Sequence, residues 1–256
     1  MLLTIDIGNS HTVLGLYRQA TLLHHYRVKT DRHATADELI ITLHGLLALN
    51  QVKISQVTDM IVGSVVPALQ SAWRRVGRHH IKGDTLVVGD AHLDCGVTVL
   101  TDNPPEVGAD RIINTLAGFH KYQDALIIAD FGTAITFDCV SAQGEYMGGA
   151  IAPGMAISLE ALGSQTAKLP KVDISTAPQR AIATNTGEAI QSGMLYGYGG
   201  LIEGLTGRLR QEFPSPPMVI ATGGMAALVA PFAPSISHIE PHLTLEGLRL
   251  IYDRNR

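Results

Sequence analysis

The residues best suited to chemistry sit in two short stretches built on one plan. One is "IDIGNSHTV" (Ile5 to Val13) and the other is "ADFGTAITF" (Ala129 to Phe137). In each, an apolar run ends at a carboxylate, Asp6 or Asp130, and a glycine and small polar residues follow. A glycine-containing turn between strands exposes successive backbone N–H groups, and Asn9, Ser10 and Thr133 add side-chain donors. That arrangement cradles phosphate oxygens. A carboxylate cannot meet phosphate directly without repulsion, so Asp6 and Asp130 belong beside one only with a cation between, typically hydrated Mg²⁺. Either turn alone is weak, because Asp near Gly also marks ordinary hairpins.

A third candidate is Asp110-Arg111 in "VGADRI", expected to open a helix. Its ordinary reading is helix-start chemistry, with Asp at the positive end and Arg solvated. An acid–base pair beside the close-packed Gly108-Ala109 is also what a substrate hydroxyl needs. The helix N-terminus and Arg111 are expected to keep Asp110 ionised. Asp130-Phe131-Gly132 also spells the magnesium-binding tripeptide of protein kinases. The Gly-rich loop, V-A-I-K strand and H-R-D loop of that class are absent upstream, so the likeness is coincidence.

The elements that must position these residues form a repeat. At the constant spacing 130 − 6 = 124, Gly8 falls on Gly132 and Thr12 on Thr136. Each copy continues into turn residues and a third strand, "RQATLLHHYRV" or "SAQGEYMGGAI". Further on, "MIVGSVVPAL" (Met60 to Leu69) corresponds to "VIATGGMAAL" (Val219 to Leu228), a buried strand leading into a helix. The order is kept in both halves, which implies duplication. Helical spacing predicts helices over 37–49, from "VGADRIINTLAGFHKY", and from "NTGEAIQSGMLYGYGGLIEGL"; "LRLIYDRNR" closes the chain as a helix or tail. The fold class is therefore α/β with two similar lobes, residues 1–122 and 123–256, the two phosphate turns facing a nucleotide cleft between them. Residues 163–181 lack periodicity and read as a mobile loop.

Composition narrows the class. The chain has 256 residues, 16% of them charged, against roughly 25% in an average globular protein, with 26 glycines and a net charge of −4. Few charges and many glycines suit buried strands and close backbone approach. Without a Lys/Arg run, nothing recruits nucleic acid or an anionic membrane. Cys95 and Cys139 lack a C-x-x-C partner and read as small hydrophobes of a cytoplasmic protein. The adjacent pairs His24-His25 and His79-His80 offer poor metal geometry if they lie on strands, where neighbours point to opposite faces. No apolar run is long enough to span a bilayer.

Seven segments in order, "DIGNSHT", "DNPPEVGADR", "DFGTAITFD", "GGAIAPG", "KLPKV", "NTGEAIQSG" and "ATGG", resemble the type III pantothenate kinases over essentially the whole chain. These belong to the acetate-kinase, sugar-kinase, heat-shock-protein and actin superfamily. The resemblance implies two ribonuclease-H-like (actin-like ATPase) lobes and transfer of the γ-phosphoryl of ATP to the primary hydroxyl of pantothenate, the first step toward coenzyme A. It implies Asp110 as general base, with Gly108, Ala109, Asp110, Arg111 and Thr186 on pantothenate. Asp6, Ile7, Gly8, Asn9, Ser10, His11, Thr12, Val13 and Thr133 would take the ATP phosphates. Asp6 would lie near Mg²⁺, reached through water, and Asp130 would bind a monovalent cation, K⁺ or ammonium. "ATGG" would lie by adenosine, and a homodimer is expected.

Plainer readings stand beside these. Thr186 could be a helix N-cap, "GGAIAPG" a structural loop, and the glycines at 193, 197, 200 and 204 either internal packing or a dimer face. One departure is Thr101, where the family often carries an aromatic that touches pantothenate. The rival functions are a kinase for another small hydroxylated substrate and a nucleotide-binding regulatory protein of the same fold.

Overall fold

The computed structural model describes residues 1–256 except 167, 168, 171 and 179, so both lysines of the "KLPKV" segment lie outside the described residues. In chain order the first elements are β1 (Leu2–Ile7), β2 (His11–Arg18), β3 (Thr21–Lys29), α1 (Ala36–Ala48), β4 (Asp59–Ser64), α2 (Pro67–His80), β5 (Thr85–Val87) and α3 (Ala109–Tyr122). Then come β6 (Leu126–Phe131), β7 (Ala134–Val140), β8 (Tyr146–Pro153), α4 (Met155–Ser164) and α5 (Thr186–Leu209). The chain closes with β9 (Met218–Thr222), α6 (Ala226–Val229), β10 (His238–Ile239) and α7 (Leu243–Arg254).

Two compact units result. One comprises Met1–Val97, Asn103–His120 and Leu243–Arg256; the other comprises Thr98–Asp102 and Lys121–His242. The first holds a sheet of order β3-β2-β1-β4-β5, the second a sheet of order β10-β9-β6-β7-β8. In each, three antiparallel strands are joined to two parallel ones, so the same plan is used twice.

The registers correct one detail of the repeat. Asp6 faces Val13, seven residues on, whereas Asp130 faces Thr136, six residues on. The constant spacing therefore holds up to the glycine and slips by one after it, making Val13 rather than Thr12 the counterpart of Thr136. The turns differ because Gly8 N–H donates to the carbonyl of His11, whereas Gly132 N–H donates to that of Ala134.

In the first unit, Leu3, Ile5 and Ile7 of β1 pack with Leu43 and Leu47 of α1 and Trp73 and Val76 of α2. On the opposite face, Leu2, Tyr17 and Ile61 meet Ile113 of α3 and Leu248 and Ile251 of α7. A sheet covered on both faces explains why β4 is buried at every position. Thus α7, last in the chain, belongs to the first unit, although chain order placed it in the second half. Gly247 makes the close approach possible: a Cβ there would come within 2.3 Å of the Ile113 carbonyl oxygen. In the second unit, Ile127, Phe131 and Phe137 pack with Leu195 and Ile202 of α5.

Local signals account for most helix ends. A capping box starts α1: Glu38 N–H donates to Thr35 Oγ1 (3.3 Å), and Thr35 N–H donates to Glu38 Oε2 (2.8 Å). Pro67 opens α2, and Arg78, His79 and His80 occupy its last turn, where cations suit the dipole. That corrects the strand reading of the second histidine pair; His24-His25 does lie on a strand. Among the described residues, 165–185 form no helix or strand, and no helix is long and apolar enough to cross a membrane; Cys139 is buried and Cys95 half-buried.

Candidate active site

The first turn is built on the end of β1. Asp6 is half-buried there, with Val13 beside it on β2 and Gly63 beside it on β4. Gly8 N–H donates to the His11 carbonyl at 3.0 Å, and Asn9, Ser10 and His11 are exposed. Two residues that the sequence reading missed brace it. Thr30, just past β3, donates its hydroxyl to the Gly8 carbonyl (2.8 Å) and its N–H to the Ser10 carbonyl (2.9 Å). Arg32 donates to Asn9 Oδ1 at 3.0 Å, bringing a cation to the outer edge of a turn suited to anions. A threonine one position after a strand carries no recognisable motif.

The second turn follows the end of β6, where Asp130 is half-buried between Thr136 and Thr222. Two glycines outside the turn define its surroundings. Gly154 N–H donates to the Thr133 carbonyl at 3.1 Å, and a Cβ at 154 would lie 2.1 Å from that oxygen. Gly223 has φ +90, and a Cβ there would lie 2.6 Å from Asp130 Oδ1 and 2.6 Å from the Phe131 nitrogen. "GGAIAPG" and "ATGG" thus each place one glycine hard against the second turn.

Asp110 stands in the first turn of α3, as expected. Its Oδ1 accepts the Arg111 N–H at 2.9 Å, and the carboxylate folds back over Gly108, where a Cβ would meet Oδ1 at 2.5 Å. Burial works against the expected hold of the helix start and Arg111 on the charge. Burial raises its carboxyl above the ordinary value; the Arg111 N–H and the Arg111 charge oppose this without cancelling it. A carboxylate so placed is more basic than a solvated one.

Thr186 is not an N-cap. Asn185 fills that role, its Oδ1 accepting the Glu188 N–H at 2.9 Å. Thr186 occupies the next position and lines a shallow apolar pocket with Leu162, Leu169, Ile190 and Met194. The glycines at 193, 197, 200 and 204 are exposed, and a Cβ on any of them would meet nothing within 4 Å. The one glycine that lets α5 pack closely is Gly199, against the Phe232 carbonyl. Thr101 lies on a segment that runs along β8, with Leu100 N–H donating to the Tyr146 carbonyl. Its hydroxyl is buried without a hydrogen-bond partner.

The candidates thus fall within the two units: residues 6–13 with Thr30 and Arg32, and residues 108–111, in the first; residues 130–133 with Gly154 and Gly223, and Thr186, in the second. Among the described residues no cluster of three or more His, Cys, Asp or Glu could hold a metal. A cation at Asp6 or Asp130 would complete its shell with phosphate oxygens, backbone carbonyls or water.

A sequence model of the type III pantothenate kinase family matches residues 2–208. A type III pantothenate kinase of Citrifermentans bemidjiense is 49% identical, the match covering all of both chains. One of Desulfotalea psychrophila is 48% identical over 98% of this chain and 97% of its own. Among solved structures, a conserved putative Baf family transcriptional activator from Campylobacter jejuni aligns with a TM-score of 0.61 at 18% identity, over 99% and 98% of the two chains. A ROK family glucokinase from Streptomyces griseus, in complex with glucose and AMPPNP, aligns with a TM-score of 0.56 at 12% identity, over 98% of each. At those identities the structural likeness speaks for the two-lobed actin-like ATPase fold alone.

Proposed function

The chain belongs to the type III pantothenate kinase family, and from that premise we propose how its residues divide the reaction. The protein phosphorylates pantothenate at the expense of ATP, in coenzyme A biosynthesis. The observation that carries the assignment is Asp110, a half-buried carboxylate at a helix start, made more basic by burial. Asp110 takes the proton of the primary hydroxyl of pantothenate as that oxygen forms a bond to the γ-phosphorus. The bond from γ-phosphorus to the bridging oxygen breaks, releasing ADP and leaving 4'-phosphopantothenate. Because the transition state is loose, aiming the hydroxyl matters as much as removing its proton. The Gly108 and Ala109 backbone, Arg111 and Thr186 hold pantothenate, with Arg111 suited to its carboxylate.

Asp6 to Val13 take ATP phosphates, as does Thr133 in the second unit. A kinase of this family uses ATP with a divalent metal. A single carboxylate beside a phosphate-cradling turn fits Mg²⁺, which keeps several waters and uses one or two carboxylates; Asp6 would hold it through water, and the metal would neutralise phosphate charge. Asp130 holds K⁺ or ammonium, a reading supported by its half-buried place near the end of β6, beside the second turn. The exposed glycine face of α5 supports a homodimer, and dependence on ATP suits a cytoplasmic enzyme.

The test is ADP release from ATP and Mg²⁺, with and without pantothenate, in K⁺ and then in Na⁺. Pantothenate-dependent release stimulated by K⁺ is expected, with the stimulation lost in Asp130→Asn. Equal rates in the two salts for the wild type would remove the monovalent site. A second expectation concerns pH. Asp110 must be ionised to accept a proton, so activity falls as pH falls through its pKa, and burial moves that limb upward. The acid limb of kcat/KM for pantothenate should therefore lie above the ordinary carboxylate value of about 4. A limb at or below that value would contradict the burial argument.

A further inference from the structure

Thr30 carries the inference. It is buried, at 8% exposure, and so is Thr12, at 4%. Its hydroxyl donates to the Gly8 carbonyl at 2.8 Å and lies 3.0 Å from Thr12 Oγ1, while its N–H donates to the Ser10 carbonyl at 2.9 Å. One residue thus ties down two alternate carbonyls of the turn and the hydroxyl of the residue that leaves it. The peptide unit is planar and trans. A Gly8 carbonyl aimed at Thr30 therefore turns the Asn9 N–H the opposite way, and the Ser10 carbonyl does the same for the His11 N–H. A phosphate cradle needs such donors aimed outward before the ligand arrives, since a turn that must reorganise on binding loses affinity.

We propose that Thr30 is a positioning residue that sets ATP affinity by holding the first phosphate turn in its binding conformation. The proposal rests on the assignment of residues 6–13 to ATP phosphates. Beside the Gly8 N–H to His11 carbonyl bond and the Arg32 contact to Asn9, Thr30 holds two of the turn's peptide planes. The Thr30 hydroxyl is placed to do so because β3 pairs with β2 from His11 to Arg18, delivering residue 30 beneath the turn.

The test compares Thr30→Val, which keeps the shape and removes the hydroxyl, with Thr30→Ser, which keeps the hydroxyl. Thr30→Val should raise the KM for ATP by about tenfold, the size expected when one buried hydrogen bond is lost, with the KM for pantothenate within about twofold. Thr30→Ser should recover most of the ATP affinity. Thr30→Ala is the second hydroxyl-less form should the valine variant not fold. An unchanged ATP KM in the hydroxyl-less variant, or equal rises in both KM values, would overturn the proposal. Asp6→Asn separates the two layers of the argument. If it weakens ATP binding while Thr30→Val does not, the turn binds ATP and only the role of Thr30 is wrong. If neither changes ATP binding by calorimetry, the assignment of the turn falls and the proposal with it.

Discussion

Asp110→Asn is expected to lower kcat by about 10²–10⁴-fold, the range for a lost general base, with the KM for ATP within about twofold. Asparagine has the same shape, and its side-chain oxygen can still accept the Arg111 N–H that Asp110 accepts now. The helix start and the Gly108 contact therefore persist, and only the proton acceptor is removed. Stability sharpens the prediction. Burial raises the Asp110 pKa in the folded state, so the ionised form costs stability at neutral pH, and the cost fades as pH falls through that raised value. The variant should accordingly melt no lower than the wild type at pH 7, and the gap should shrink in acid. Steady-state kinetics beside thermal melts at pH 7 and pH 4 check both halves. Retained turnover would take Asp110 out of the mechanism, and a large fall in melting temperature would mean that the carboxylate is structural.

Gly154→Ala should give the second large effect. Gly154 has φ −71 and ψ 157, a conformation alanine adopts freely, so backbone strain is no part of the argument. The added methyl would fall 2.1 Å from the Thr133 carbonyl oxygen and 2.7 Å from that of Gly132. Both are backbone atoms of the second phosphate turn and cannot swing aside as a side chain can. The turn must move, costing about 1–3 kcal/mol and raising the KM for ATP by about tenfold or more. At this size each kcal/mol lowers the melting temperature by roughly 2–4 °C. Gly45→Ala is the matching control: it lies within α1, exposed, with nothing within 4 Å of a new Cβ, and should gain about 0.5–1 kcal/mol. A Gly154→Ala enzyme with unchanged ATP kinetics would show that Thr133 and its turn do not touch the nucleotide.

Much of this protein is decided by near neighbours in the chain, and that part is legible without coordinates. The two Asp-x-Gly turns, the strand triplets around them, and the helices of 36–48, 109–122 and 186–209 rest on short-range turn chemistry and periodicity. The duplication follows because each half repeats those local signals in order, and both sheets bear it out. The seven ordered segments likewise suffice for the family. What the sequence left open depends on residues far apart. Only packing shows that α7 covers the first sheet, because its apolar face would suit either half and the fit is made by Gly247 against Ile113. Only the strand register shows that the second turn is one residue shorter, since a slip after a glycine leaves the motif readable. The clamp at Thr30 spans 22 residues to Gly8, beyond the reach of any local pattern. The basicity of Asp110 is a matter of burial, and burial is a property of the folded molecule.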